Sequence, residues 1–254
     1  MTDRAGPTPS PPPPGSDPDR PDAGRIVVIT GAGRGLGLGL ARRFAARGAT
    51  VVGTVRSGPD PALAAVARTA TLVVTSDASI AALADDQADL DRIDVLINSS
   101  GINATAAGAD RSRRGVTELN RPEFLAVMDV NAAGPLLVTR ALLPGLERGH
   151  DPLVVNISSQ LGSLVFAAGS GADVAYNASK AALNMITVRQ AAELADRGIR
   201  VMAVHPGWVR TDMGGSAASL TVEDAAASIA DTVGRFGPDD TGRFVRWDGT
   251  PHPW

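Results

Sequence analysis

The chain has 254 residues, with 24 Lys and Arg against 27 Asp and Glu, and no cysteine. The lack of Cys excludes a disulfide framework, a Cys-ligated zinc site and thiol catalysis. A formal net charge of −3 argues against a nucleic-acid-binding surface, and three histidines are too few for a His-rich metal centre.

The first 24 residues hold 8 of the 18 prolines, including the run Pro11 to Pro14. They lack apolar residues whose burial could offset the entropy of ordering. They read as a disordered tail of polyproline character, with the folded domain over 25–254. Removing residues 1–24 is therefore expected to spare the domain. No secretory signal and no apolar run of about 18 residues stands out, so the expectation is a cytoplasmic protein away from membranes.

From Arg25 onward, short β-branched runs alternate with longer Ala- and Leu-rich stretches. In chain order the reading is a strand at 26–30, a helix at 36–47, a strand at 50–55, a helix at 61–68 and a strand at 71–76. A helix at 79–90, a strand at 93–98, a long helix at 122–146 and a strand at 153–158 follow. The chain closes with a helix at 176–197, a strand at 199–204, a helix at 222–233 and a strand at 242–247. The long helix survives Pro135 only if it bends there. Strands apolar throughout suit a sheet covered on both faces. The alternation predicts a single-domain α/β fold, a doubly wound parallel seven-stranded sheet of Rossmann type.

The first strand runs into Thr30-Gly31-Ala32-Gly33-Arg34-Gly35-Leu36-Gly37. Glycines here let the backbone turn sharply and approach a pyrophosphate, which rests on the free N–H groups of the following helix. In such folds an acid at the end of the second strand binds the ribose 2′-hydroxyl of NAD. Val55 occupies that place here, followed by Arg56. Arg34 and Arg56 can clamp a 2′-phosphate, which favours NADP(H) over NAD(H).

Tyr176 and Lys180 are the only tyrosine and the only lysine of the chain. At i and i+4 they share one helix face. An ammonium beside a phenol is expected to lower its pKa from about 10, which suits a general acid/base.

The glycine spacing through Gly31, Gly35 and Gly37, with Tyr176-Asn177-Ala178-Ser179-Lys180, resembles the short-chain dehydrogenase/reductase family. The stretches from Gly33 to Leu40, His205 to Gly215 and Asp248 to Trp254 resemble its sniffer/C-factor-like carbonyl reductase branch. The resemblance implies hydride transfer between NADPH and a carbonyl or alcohol substrate. It assigns Tyr176 the proton, Ser159 (in Ser158-Ser159-Gln160-Leu161-Gly162) polarisation of the substrate oxygen, Lys180 the tuning of Tyr176 and the nicotinamide ribose, and Asn131 a water beside Lys180. Ser159 is not a nucleophile, since no His and acid accompany it. Cofactor contacts are implied for Gly31, Gly33, Arg34, Gly35, Leu36, Gly37, Arg56, Asp77, Asn98, Gly101, Tyr176, Lys180, Pro206, Gly207, Val209 and Thr211. Asn98-Ser99-Ser100-Gly101 departs from the family's N-N-A-G. Pocket walls fall at Ile102, Asn103, Leu161, Phe166 and Trp208, and His205 reads as structural. The resemblance also implies a homodimer or homotetramer packed through the helices after the fourth and fifth strands. The alternative reading is a nucleotide-binding signalling protein of C-factor type with incidental turnover.

Overall fold

In β1 (Ile26–Ile29), Val27 and Ile29 join one apolar cluster and Val28 another. The same split runs through β4 (Val95–Asn98), β5 (Leu153–Ile157) and β6 (Arg200–His205). Val95, Ile97, Val155 and Val204 face the first cluster, and Leu96, Val154 and Val201 the second. Side chains alternate with period two along a strand, so both sets are buried only if both faces are covered. The computed structural model describes residues 20–58, 60–87, 89–110, 114–167 and 173–254.

With β2 (Thr50–Val55), β3 (Arg68–Thr71) and β7 (Phe244–Arg246) these strands form one sheet in the order β3-β2-β1-β4-β5-β6-β7. Every pairing is parallel. Helices α1 (Gly35–Ala46) and α9 (Val222–Arg235) cover one face; a Cβ at Gly39 would run into Val222, which is how closely they pack. On the other face lie α3 (Asp77–Asp86), α5 (Gly134–Ala141) and α8 (Val174–Leu194). Short helices occupy Pro61–Ala64 (α2), Leu143–Glu147 (α6) and Leu164–Ala167 (α7). The strand order reverses between β1 and β4, which opens a crevice at their carboxyl ends.

Four expectations shift. The third strand is the edge strand Arg68–Thr71, not 71–76, and the helix before it stops at Ala64. Hydropathy marked Leu72 and Val74, which are buried but lie beyond the ladder; β2 ends at Val55, opposite Thr71, so there is nothing left to pair with. The third helix ends at Asp86, short of residue 90. The predicted helix over 122–146 breaks into α4 (Arg121–Met128), a π-turn at Asp129–Ala133, α5 and α6. The π-turn runs directly into α5 with helical backbone and ends just before Pro135, so the widened turn lies where the proline ring would otherwise meet the carbonyl four residues back. By length and composition the stretch Arg121–Ala141 could cross a membrane; here Val127, Asn131 and Val138 are buried against the rest of the protein.

The domain also begins earlier than residue 25. Asp22 is 1% exposed and pairs with Arg25 and Arg47, and its N–H donates to the Arg47 carbonyl. Residues 1–19 lie outside the described residues. Removing one partner of a buried ion pair costs about 3 kcal/mol, so Asp22→Ala is expected to lower Tm by roughly 6–12 °C. Thermal unfolding of the variant beside the parent checks this.

Candidate cofactor cleft and active site

The crevice is walled by the loop from β1 into α1. Gly31 has φ +68°, and a Cβ there would sit 2.9 Å from the Ser100 hydroxyl oxygen. A Cβ at Gly37 would strike the Gly31 carbonyl. Thr30 ties the loop to the end of β4 by accepting the N–H groups of Ser99 and Ser100 at 3.0 and 3.1 Å. No side chain caps the N-terminus of α1 and its first turn carries no acid. An uncapped helix N-terminus behind a glycine cradle is what a pyrophosphate needs, so the residues present fit a dinucleotide.

Around the site of a ribose 2′ substituent the charges are mixed. Val55 is buried and borders Gly33, as expected, but Asp60 reaches the same spot: its Oδ2 lies 3.0 Å from where a Gly33 Cβ would be. Its other oxygen accepts the Leu63 N–H at 3.0 Å and caps α2. The sequence signal was the Asp-Pro pair of a helix start, five residues past the strand. Arg34 forms an ion pair with Asp212, both largely exposed. Arg56 is exposed and has no ionic partner among the described residues. Asp77 is exposed at the start of α3.

The loop after β6 closes over the glycine loop. The Thr211 Cγ2 lies 3.3 Å from where a Gly35 Cβ would be, so Gly35–Thr211 and Arg34–Asp212 bring the two rims together. Gly207 has φ +83° and a Cβ there would strike Leu220. Val209 is buried and bridges to Leu220. Pro206 opens this loop, half-buried. Trp208 is 53% exposed and donates to the Gly214 carbonyl.

The catalytic candidates converge on α8. Lys180 is buried and its ammonium donates to the Ile157 carbonyl at 2.7 Å, on the last residue of β5. Its Nζ stands 5.7 Å from the centre of the Tyr176 ring. Ser159 lies two residues past β5, and its Oγ accepts the Leu161 N–H at 3.1 Å. A Cβ at Gly101 would lie 3.4 Å from Asn131 Oδ1 and 3.7 Å from Lys180 Nζ. Ser100 thus touches the glycine loop, and the next residue touches the lysine.

Asn131 sits in the π-turn, fully buried. Its Oδ1 accepts the Ile102 N–H, and its amide donates to the Ile102 carbonyl and to Ser179 Oγ, at 2.8, 2.8 and 2.9 Å. Both amide hydrogens are spent, so its side chain is a brace between the loop after β4 and α8 rather than a donor to water. Asn98 ends β4 at the crevice, which leaves its main chain for the implied cofactor contact. Its side chain is buried and donates to Thr139 and Asn156, away from the crevice.

The pKa expectation for the phenol reverses. Tyr176 is half-buried, and the partial loss of solvation pushes its phenol up to about 12; Asp173 adds to the rise and Ser159 opposes it. Burial pushes Lys180 down to about 8. His205 is packed between Trp247 and His252 and pushed down to about 4 by burial, so it stands as a neutral structural residue. Phe166 packs against His252 in a tilted arrangement with ring centres 4.7 Å apart.

The short chain dehydrogenase family model matches residues 25–220. The C-signal protein of Myxococcus xanthus is 36% identical over 162 residues, covering 64% of this chain and 93% of its own. A carbonyl reductase from chicken fatty liver, solved with NADPH bound, superposes with a TM-score of 0.81 at 29% identity, over 91% of this chain and 100% of its own. Carbonyl reductase Sniffer of Drosophila melanogaster gives 0.78 at 27% identity, over 91% and 100%. With seven parallel strands, a glycine-rich crevice and a match over most of its length, the chain belongs to the short-chain dehydrogenase/reductase family.

Proposed function

We propose that the protein is an oxidoreductase that moves hydride between NADPH and a ketone or aldehyde, with Tyr176 as general acid/base. What supports this is the Lys180 ammonium 5.7 Å from the centre of the Tyr176 ring, beside Gly101, whose neighbour Ser100 packs on the glycine loop. The glycine loop, Arg34, Arg56, Asp77 and the loop from Pro206 to Thr211 would hold the cofactor, which supplies the hydride. Ser159 orients the substrate oxygen. Tyr176, kept in its acid form by burial, gives its proton to that oxygen as negative charge develops. The Lys180 ammonium stabilises the phenolate left behind. Self-association belongs to this reading: Leu125, Leu136 and Met185 are exposed on α4, α5 and α8, and a groove of about 610 Å³ runs between these helices.

Tyr176→Phe is expected to cut kcat/KM for carbonyl reduction by about a thousandfold and to leave NADPH affinity unchanged. Wild-type turnover in that variant overturns the assignment. The C-signal relative favours a second reading, nucleotide-dependent signalling with incidental turnover. A signalling effect that survives Tyr176→Phe while turnover stops selects it.

NADPH is preferred here because Arg34 and Arg56 outweigh one carboxylate, Asp60, once Arg34 exchanges Asp212 for a phosphate. Arg34→Ala should weaken NADPH binding about tenfold and leave NADH binding within twofold, as read by fluorescence titration. Equal losses for both cofactors would rule out this discrimination.

Lys180 binds its proton less tightly folded, at about 8, than at its ordinary 10.5. The unfolded chain therefore carries more protons between these values, and stability rises with pH across that window. Tyr176 works the other way: its contribution is complete below pH 10 and is lost as pH rises toward about 12. Denaturant unfolding at pH 8 and pH 10 should show a gain of about 2 kcal/mol in the parent that Lys180→Met lacks.

A further inference from the structure

After β7 the chain reverses over the edge of the sheet. Asp248 Oδ1 accepts the N–H and the hydroxyl of Thr250, at 3.0 and 2.6 Å, and Gly249 takes φ +85°. The Arg246 N–H donates to the Thr250 carbonyl at 2.8 Å, and Pro251 bridges antiparallel to Val245. The His252 N–H donates to the Phe244 carbonyl at 2.8 Å. These main-chain bonds cover an edge strand, which any open sheet needs.

The side chains do more than that. The His252 imidazole is buried, and its centre lies 4.6 Å from the ring of Phe244 and 5.5 Å from His205 at the end of β6. On its other side it meets Phe166 of α7 at 4.7 Å. The Trp254 indole stacks on Phe244 with centres 5.4 Å apart, and the Trp254 carbonyl accepts the Ser163 hydroxyl at 3.0 Å. Ser163 is fully buried and 91 residues away in sequence. The segment Asp248–Trp254 thus joins β7 to the stretch between Ser159 and Tyr176.

That stretch is held from two sides. On one, the turn Gln160–Gly162 lies against α8. A Cβ at Gly162 would sit 2.6 Å from the main-chain carbon of Lys180, and the Asn184 amide donates to the Gly162 carbonyl at 3.3 Å. On the other side stand Trp254 and His252. A helix of 4 residues such as α7 does not hold itself together. Leu164 and Val165 face solvent, so their burial does not fix it either.

We propose that Asp248–Trp254 is a strap that positions the substrate-side wall of the active site, with His252 holding α7 through Phe166 and Trp254 holding Ser163. This rests on the roles given above to Ser159 and Tyr176, between which the wall lies in the chain. It adds a binding determinant remote from the reacting atoms. The strap sets how well the substrate is held, and the groups around the phenol set the rate.

His252→Ala removes the ring between Phe166 and Phe244, Ser163→Ala removes the bond to Trp254, and His252→Phe keeps an aromatic ring in place. Amide hydrogen exchange read by mass spectrometry needs neither cofactor nor substrate. In His252→Ala, peptides spanning 160–167 should exchange about tenfold faster, with β5 and β6 as in the parent. With NADPH and either benzaldehyde or the larger diketone benzil, KM should rise about fivefold while kcat stays within twofold. His252→Phe should restore both readings. Ser163→Ala, which loses one hydrogen bond, should speed exchange over the same peptides and keeps the test open if His252→Ala fails to fold. Parental exchange over 160–167 in the folded alanine variants overturns the proposal. So does faster exchange spread evenly over the domain, or a loosened wall with parental KM. Local loosening in a protein whose parent reduces neither carbonyl would uphold the strap and remove the function proposed above.

Discussion

A buried ammonium held by one main-chain carbonyl organises this molecule. Lys180 reaches across from α8 to the last residue of β5 and donates to the Ile157 carbonyl. A cation taken out of water needs such a partner, because its desolvation is otherwise uncompensated. The bond fixes the azimuth of α8 against the end of the sheet, and with it Tyr176, one turn earlier on the same face. It also fixes the distance from that phenol to Ser159, which leaves β5 two residues later. Helix, strand end and hydroxyl pair are therefore one unit, and a shift of any of them would unpair a buried charge.

The environment around the phenol has the polarity of an acid waiting to act. Burial and Asp173 favour the protonated hydroxyl, while burial weakens the lysine's hold on its own proton. A phenol that is neutral and an amine that ionises near pH 8 can together deliver a proton and then stabilise the charge left behind. The cofactor end of the crevice has a different logic. There the chain supplies its own counter-ions, Asp212 to Arg34 and Asp60 beside Gly33, so the arginine there does not present an open positive field.

Much of this was legible in the residues. The apolar runs at β1, β4, β5 and β6 predicted strands buried on both faces, because successive residues, and not only alternate ones, are apolar. The glycine spacing located the crevice, and the lone Tyr and Lys fall on one helix beside it. The errors have a common cause: hydropathy reports burial, not hydrogen bonding. It placed β3 on Leu72 and Val74, which are buried as coil, and overlooked the polar edge strand Arg68–Thr71. Composition likewise gave Asp22 to the tail, since one buried acid with two arginine partners leaves no compositional trace. Asp60 and Asp212 escaped notice because their roles depend on neighbours far away in the chain.

The π-turn at Asp129–Ala133 acts as an extra residue wound into an otherwise regular helical stretch. An α-helix advances about 100° per residue, so deleting one residue there would restore regular winding but swing the downstream half by that angle. Either Asn131 would leave Ser179 or Val138 would leave the core beneath the sheet. The stretch therefore cannot be regularised without losing one of its two anchors, which makes its length, and not only its composition, a fixed property of this protein.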